Sequence, residues 1–369
     1  MSHSHPVRRV MVLAHGRSGS TLLQSMFLSR CDALTFFEPC RHSPLGNMLR
    51  SHCIEQVLRF LKCDLPMHHG RWDPPAIRSW LKHPYIEANT SCTSPPFSSV
   101  HEMRAVCHKA KLVLVKEIRL VGQLSQLAET LMREFSTGHE ASGTAFASRT
   151  ANLINAGEAR ALSSAEMGFT SLSGSVAIIH VVRDPRAMLA SQKRLRWWPK
   201  WVGKERGTRQ QQLFEMERIA RHQCSGMLAD AAAGDELQRT GQIRYALVRF
   251  EELSNQLEAT ALRLHAQLGL PFLHDTRIWL ERTLEGKCTN SNATMRTSTR
   301  ISLRTRTWTR TSASMKLAHS NSGALERFEY STCRTRVTGP NQWKHALRPT
   351  EKRVIARACT GALSHFGYT

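Results

Sequence analysis

The stretch Arg8–Leu23, RRVMVLAHGRSGSTLL, decides the fold class. Arg8–Ala14 is a short and nearly continuous apolar run, as expected of a strand buried on both faces of a parallel sheet. The turn HGRSGST follows, and Leu22, Leu23, Met26 and Phe27 then recur at helical spacing. Strand, phosphate-sized loop and helix form the opening unit of a nucleotide-type α/β fold. The free N–H groups of the first helical turn and the helix dipole point into the loop, which suits an anion. His15 and Gly16 open the loop. Gly16 and Gly19 permit a tight turn and close backbone approach, Ser18, Ser20 and Thr21 offer hydroxyl donors, and Arg17 supplies a permanent charge. The Lys of a Walker A loop is absent, which disfavours ATP hydrolysis.

A second turn of the same kind follows VAIIHVV, Val176–Val182. The spacing predicts a strand ending at Arg183, Asp184 as helix N-cap and Pro185 at the first helical position. Arg183 then emerges at the carboxyl edge of a parallel strand, where open α/β sheets bind ligands, with Ser191 about two turns into the helix. Arg186 adds another cation. Two anion sites on one sheet edge suit a ligand with phosphates at both ends of a nucleoside. Read alone, RDPR is also an ordinary capped helix start.

Leu112–Val115 and Tyr245–Phe250 are further candidate buried strands, at spacings that suit β-crossover-β units rather than hairpins. Residues 137–175 are rich in small side chains without a strong period, and are expected to be an irregular insertion. In 289–314, Thr, Ser and Arg make up 18 of 26 residues with no acid, the composition of a surface insertion. After Pro349, the positions Val354, Ile355, Ala358, Leu363 and Phe366 share one helical face, predicting a closing helix packed on the sheet.

The 369 residues, 41% hydrophobic, are enough for a buried core. Fifty-one Lys and Arg against 29 Asp and Glu give a formal charge of +22, which points to a polyanionic partner: nucleic acid, anionic membrane or acidic glycan. Ten Cys without a CxxC pair argue against a zinc ribbon or a thioredoxin-like site. The sequons at Asn89 and Asn292 and the even Cys count fit a lumenal chain. No apolar run approaches the ~20 residues of a membrane span, and no secretory h-region follows Met1–His5.

At its two loops the sequence resembles the Golgi carbohydrate 6-O-sulfotransferases, which modify N-acetylglucosamine, galactose or N-acetylgalactosamine in keratan sulfate, chondroitin sulfate and related glycans. Arg17–Leu23 is similar to the family's RSGS loop, and Val182–Ser191 to its VRDPRA…AS segment. Phe37-Glu38-Pro39 with His42, Lys116–Arg119, Val248–Leu253, Tyr330–Thr332 with Arg334, Trp343-Lys344 with Leu347, Cys359 and Gly367-Tyr368 follow in the family's order. Lys344 stands where Arg is usual. The family carries an N-terminal membrane anchor that these residues do not show.

The resemblance implies a P-loop nucleotide-hydrolase-like sulfotransferase fold, α/β with a central parallel sheet flanked by helices, as one domain over 8–369. It implies 3′-phosphoadenylyl sulfate (PAPS) as sulfuryl donor, a glycan acceptor rather than nucleic acid, and the Golgi lumen. Arg17, Ser18, Gly19, Ser20 and Thr21 would hold the 5′-phosphosulfate, with Arg17 also offsetting the charge on the departing phosphate, and Arg183 and Ser191 would hold the 3′-phosphate, with His15, Gly16, Asp184, Arg186 and Arg334 also binding the cofactor. The base that takes the acceptor's proton is Glu38, with His42 as the alternative. No ligand cluster at metal spacing is visible, so no metal is expected. Trp197, Trp198 and Trp201, interleaved with cations, read as a sugar-stacking edge or as the amphipathic end of the preceding helix. A small-molecule kinase, an inactive relative and a basic nucleic-acid-binding protein are the competing readings.

Overall fold

The computed structural model describes residues 8–42, 50–65, 100–135, 176–195, 197, 208–285 and 341–368. The order is β1 (Arg8–Ala14), α1 (Ser20–Leu28), β2 (Ala33–Phe37), a 3-10 turn (Pro39–His42), α2 (Arg50–Leu61), α3 (Val100–Lys109), β3 (Leu112–Glu117) and α4 (Leu124–Phe135). There follow β4 (Val176–Val182), α5 (Pro185–Arg194), α6 (Arg209–Thr240), β5 (Arg244–Arg249), α7 (Phe250–Asn255), α8 (Leu257–Leu268) and α9 (His274–Leu284). The C-terminal helices are α10 (Trp343–Ala346), α11 (Pro349–Ala358) and α12 (Thr360–His365).

All strand pairs are parallel, in the order β2-β3-β1-β4-β5. Parallel strands need both faces covered, and every residue of β3 and β4 is buried. Val10, Val12 and Ala14 face α1 and α8 through Leu23, Phe27, Ala261 and Leu264. Met11 and Leu13 face the opposite layer, which includes Val57, Leu61, Leu127 and Leu237. The chain leaves β1 toward β3 on one side and β4 on the other, so the crevice between β1 and β4 is the topological switch point of the sheet.

The predicted α/β class and parallel sheet are observed, and β1 and β4 have the predicted bounds. Three expectations need correction. The strand predicted to end at Phe250 ends at Arg249, because Phe250 opens α7. The predicted Leu112–Val115 strand runs on to Glu117, which brings Lys116 and Glu117 to its carboxyl end. The closing segment is two helices broken at Cys359, and it packs chiefly on α6 and α5 rather than on the sheet, with Ile355, Cys359 and Leu363 meeting Ala220, Cys224 and Met188. Sequence reading also passed over β2 and the 32-residue α6. The predicted insertions at 137–175 and 289–314 lie outside the described residues, save that β4 begins at Val176.

Disulfides join Cys40 to Cys53, Cys63 to Cys107 and Cys224 to Cys359, the last fastening α6 to the C-terminal helices.

Candidate active site

The loop after β1 ends on Gly19, whose φ of 91° lies in the left-handed region, and α1 starts at Ser20 with no side-chain cap and no acid in its first turn. A bare helix N-terminus therefore faces the crevice. Arg17 also has a left-handed backbone, with φ of 75°, an uncommon conformation for a residue with a Cβ. Three contacts hold it. Arg183 donates through Nη1 to the Arg17 carbonyl at 3.0 Å, Gln192 donates to the Gly16 carbonyl at 2.8 Å, and Arg17 Nε donates to Ser191 Oγ at 3.0 Å. Strain that neighbouring groups over-determine is characteristic of functional loops.

On the β4 side, Asp184 caps α5 by accepting from Arg186 N at 2.8 Å, with Pro185 in the first turn. The Asp184 N–H donates to Glu251 Oε1 at 3.0 Å, and Tyr368 donates to Glu251 Oε2 at 3.1 Å. The acid at the start of α7 therefore ties the second turn to the C-terminus. Arg186 pairs with the Asp184 carboxylate at 2.9 Å and lies 4.3 Å over the Trp343 ring.

Glu38 follows β2 with φ of 49°, again left-handed, and its N–H donates to the Lys116 carbonyl at 2.7 Å. Its carboxylate accepts from Lys116 Nζ at 2.9 Å and from Arg119 Nη1 at 3.1 Å. Burial would push this carboxyl up, but Lys116 and then Arg119 outweigh it and hold it below the ordinary glutamate range. At Lys116, which is 1% exposed, burial wins over the attraction of Glu38 and lowers the ammonium. The two partners shift in the same direction because Glu38 faces two cations while Lys116 is the more deeply buried. Glu117 accepts from the N–H groups of Cys40 and Ile118 and from Arg119, yet its complete burial raises its carboxyl.

These elements enclose a cavity of about 260 Å³ lined by Arg17, Gly19, Ser20, Thr21, Glu38, Lys116, Arg183, Ser191, Arg194, Trp197, Phe250 and Trp343, among others. Among the described residues, four cations and a single carboxylate, Glu38, line it, so it favours anions. Leu22, Ala187, Phe250, Leu253 and Leu257 supply an apolar wall on which a flat ring can lie.

The residues named from sequence thus separate. Arg17, Gly19, Ser20, Thr21, Glu38, Arg183 and Ser191 meet at this cavity. His15 and Ser18 are buried beneath the loop, and Asp184 and Arg186 are engaged with each other, so these four shape the site rather than line it. Gly16 leaves room for Trp197, since a Cβ there would stand 2.6 Å from that ring. The cavity partners of Arg17 are split differently from the sequence reading, which paired Ser191 with Arg183. His42 ends the 3-10 turn after Glu38. Arg334, Trp198 and Trp201 lie outside the described residues. Trp197 stands beyond α5, which ends at Arg194, so it is not the end of that helix. In the sequence Lys116 is distinguished only as the first residue of the Lys116–Arg119 motif. Its place beside Glu38 depends on β2 pairing with β3, Phe37 against Lys116, which local sequence does not reveal.

Residues 7–315 match the sulfotransferase domain family. The chain belongs to that family. Among known sulfotransferases, mouse carbohydrate sulfotransferase 1 is 21% identical over 383 residues, covering 97% of this chain and 79% of the mouse protein. Human carbohydrate sulfotransferase 3 is 24% identical over 198 residues, covering 52% of this chain and 33% of its own. The sulfotransferase domain from the curacin biosynthetic pathway aligns with a TM-score of 0.41 and 13% identity, over 99% of each chain. The segment of this sulfotransferase that carries Trp343 and Tyr368 lies beyond the family match, yet it lines the cavity and braces the Asp184 turn.

Proposed function

We propose that this sulfotransferase transfers a sulfuryl group from PAPS to a sugar hydroxyl, the 6-OH of N-acetylglucosamine, galactose or N-acetylgalactosamine in a glycan, within the Golgi lumen. The observation that carries the reading is the joining of the two Arg-bearing turns, Arg183 to the Arg17 carbonyl, at one cation-lined cavity with an apolar wall. The donor set fits the nucleotide: a bare helix N-terminus, hydroxyls of Ser20 and Thr21, and the guanidinium groups of Arg17 and Arg183 match two separated anionic groups.

Bound there, PAPS supplies an activated sulfuryl group on a phosphate leaving group. Arg17, Ser20 and Thr21 orient the 5′ end, and Arg17 offsets the charge that builds as the sulfur–oxygen bond to phosphate breaks. Arg183 and Ser191 hold the 3′-phosphate, which fixes the nucleotide's direction in the cavity. Glu38 takes the proton of the acceptor hydroxyl as its oxygen bonds to sulfur, and Lys116 neutralises the sulfuryl oxygens. His15, Asp184, Arg186 and Gln192 position the two turns. Trp197, 42% exposed beside the cavity, offers a ring face to a sugar.

A formal charge of +22 favours an acidic glycan acceptor. Three described disulfides suit an oxidising lumen, and none of the described helices is long and apolar enough to cross a membrane. We read 8–369 as one domain, because the C-terminal helices complete the site built by β1 and β4.

Incubation with radiolabelled PAPS and a panel of keratan, chondroitin and mucin-type acceptors tests this reading. Label at the 6-position of one acceptor sugar is the expected product. Salt-sensitive RNA binding with no transfer to any acceptor would overturn it.

A further inference from the structure

Beneath the loop, on the face of the sheet away from α1, three buried side chains meet outside the lining of the cavity. Met11, Leu13 and His15 alternate toward this face. In the parallel register Leu13 stands beside His180, so His15 and His180 are diagonal neighbours on adjacent strands. Asp230 descends onto them from α6. His15, His180 and Asp230 are 2%, 0% and 1% exposed, and one ligand atom from each lies within 4.8 Å of the others.

The surroundings orient these donors. His180 Nδ1 is 2.9 Å from the Tyr245 hydroxyl, a contact that, with Nδ1 as donor, leaves the Nε2 lone pair facing the cluster. Asp230 Oδ2 accepts from Gly122 N at 2.8 Å and Oδ1 from Leu124 N at 2.9 Å, which fixes the carboxylate plane. Two glycines of α6 flank Asp230 at one-turn spacing. A Cβ at Gly234 would stand 2.3 Å from the Tyr245 hydroxyl, and one at Gly226 would stand 2.3 Å from Val121. Without them neither the ring-orienting hydroxyl nor the carboxylate-holding loop could approach. Nε2 of His180 and both ring nitrogens of His15 find no hydrogen-bond partner among the described residues. His15 Nε2 and Asp230 Oδ2 stand 4.0 Å apart, too far for a hydrogen bond. The separation is about half an ångström more than that of two donors on one tetrahedral zinc ion.

We propose that His15, His180 and Asp230 bind a divalent transition metal, Zn²⁺, with a water as fourth ligand. Two neutral imidazoles and one carboxylate are the donor set of such ions. The ion joins the end of β1 to β4 and α6, and sets a net positive charge under the phosphate loop. It takes no part in bond making, because its ligands lie outside the cavity lining. Local sequence concealed it: the ligands come from two strands and a helix far apart in the chain, with no short spacing to mark them.

Metal content, rather than transfer, tests the site, so its outcome is independent of the sulfuryl-transfer reading. The full chain is purified without chelator, its affinity tag removed, and metal is measured by mass spectrometry. About one equivalent of zinc per chain is expected, replaceable by Co²⁺ with the visible bands of a four-coordinate ion, and absent from His180→Gln and Asp230→Asn. Tyr245→Phe removes the ring-orienting hydroxyl but no ligand, and is the variant to use if a ligand substitution unfolds the chain. Its zinc affinity should fall about 10- to 100-fold. Wild-type protein without metal that takes up neither Zn²⁺ nor Co²⁺, as when a water alone bridges the three groups, would overturn the proposal. So would full zinc retention in both ligand variants, or an unchanged affinity in Tyr245→Phe.

Discussion

Arg183 donates through Nη1 to the main-chain carbonyl of Arg17 at 3.0 Å, so the charged side chain of one turn holds the backbone of the other. The two turns are therefore mechanically linked before any ligand arrives. Pre-organisation of this kind lowers the ordering cost of binding. It also couples the two: a change that displaces Arg183 is felt at the loop.

Gly19 is where that coupling is most exposed. Its φ of 91° disfavours any side chain, and a Cβ would meet Phe250 Cδ2 at 2.1 Å, while Arg183 rests 4.3 Å over the same ring. Gly19→Ala should cost about 2–5 kcal/mol from left-handed strain plus overpacking, seen as a lowered urea midpoint. Adding Phe250→Leu should restore part of that loss. If it restores none, the backbone alone carries the effect.

Glu38 is held ionised below the ordinary glutamate range by Lys116 and Arg119 despite its burial. If it is the base, kcat/KM should stay level as pH falls through the usual glutamate range, with the acid limb below it. Lys116→Met removes the nearest cation, so the limb should move to higher pH, and an unmoved limb would exclude Glu38 as the titrating group. The linkage has the same sign. A depressed carboxyl contributes stability that is present above its unfolded value and is lost as pH falls through the folded one. Wild-type urea midpoints should therefore fall more steeply in that window than those of Glu38→Gln.

Glu251 accepts from both Asp184 N and Tyr368 Oη, so it connects the second turn to the C-terminus. Tyr368→Phe should cost about 1 kcal/mol, and Glu251→Gln about 1–2 kcal/mol, by chemical denaturation. The double variant should cost less than the sum, because both changes remove one shared hydrogen bond. Strict additivity would separate the two residues.

Much of this architecture could be read from local pattern, and the failures have physical causes. The run Val10–Ala14 is continuously apolar, Val176–Val182 is apolar but for His180, and both end in turn residues, so β1 and β4 are legible in the sequence, as is the Asp184-Pro185 helix start. β2, ALTFF, is five residues with a central Thr, too short for its period to separate strand from helix. In α6 the buried Met216, Ala220, Cys224, Met227, Ala231 and Leu237 keep helical spacing, but Gly226 and Gly234 lie among them and are poor helix formers. Those glycines make sense only through what they admit: Val121 and the Tyr245 ring. The ion pairs of Glu38 are non-local, since parallel pairing brings Lys116 across 78 residues, and no window of sequence contains both.

The disulfides offer a comparison free of the active-site question. Cys224–Cys359 closes a separation of 135 residues, and Cys40–Cys53 one of 13. Loop entropy alone makes the longer crosslink worth about 2 kcal/mol more. The paired Cys224→Ser/Cys359→Ser variant should therefore be the less stable of the two double-serine proteins in urea. The reverse order would place the difference in folded-state contacts.

The central claim is that the turns bearing Arg17 and Arg183 grip one doubly phosphorylated adenosine. Calorimetric titration of the wild type, Arg17→Ala and Arg183→Ala with 3′-phosphoadenosine 5′-phosphate and with 5′-AMP tests it most directly. The wild type should bind the bisphosphate more tightly than 5′-AMP. Each substitution should weaken bisphosphate binding about 10- to 100-fold, the loss of charge-assisted hydrogen bonds, and Arg183→Ala should also remove the preference over 5′-AMP. Equal affinity of the wild type for the two nucleotides, or bisphosphate binding indifferent to both substitutions, would contradict the account.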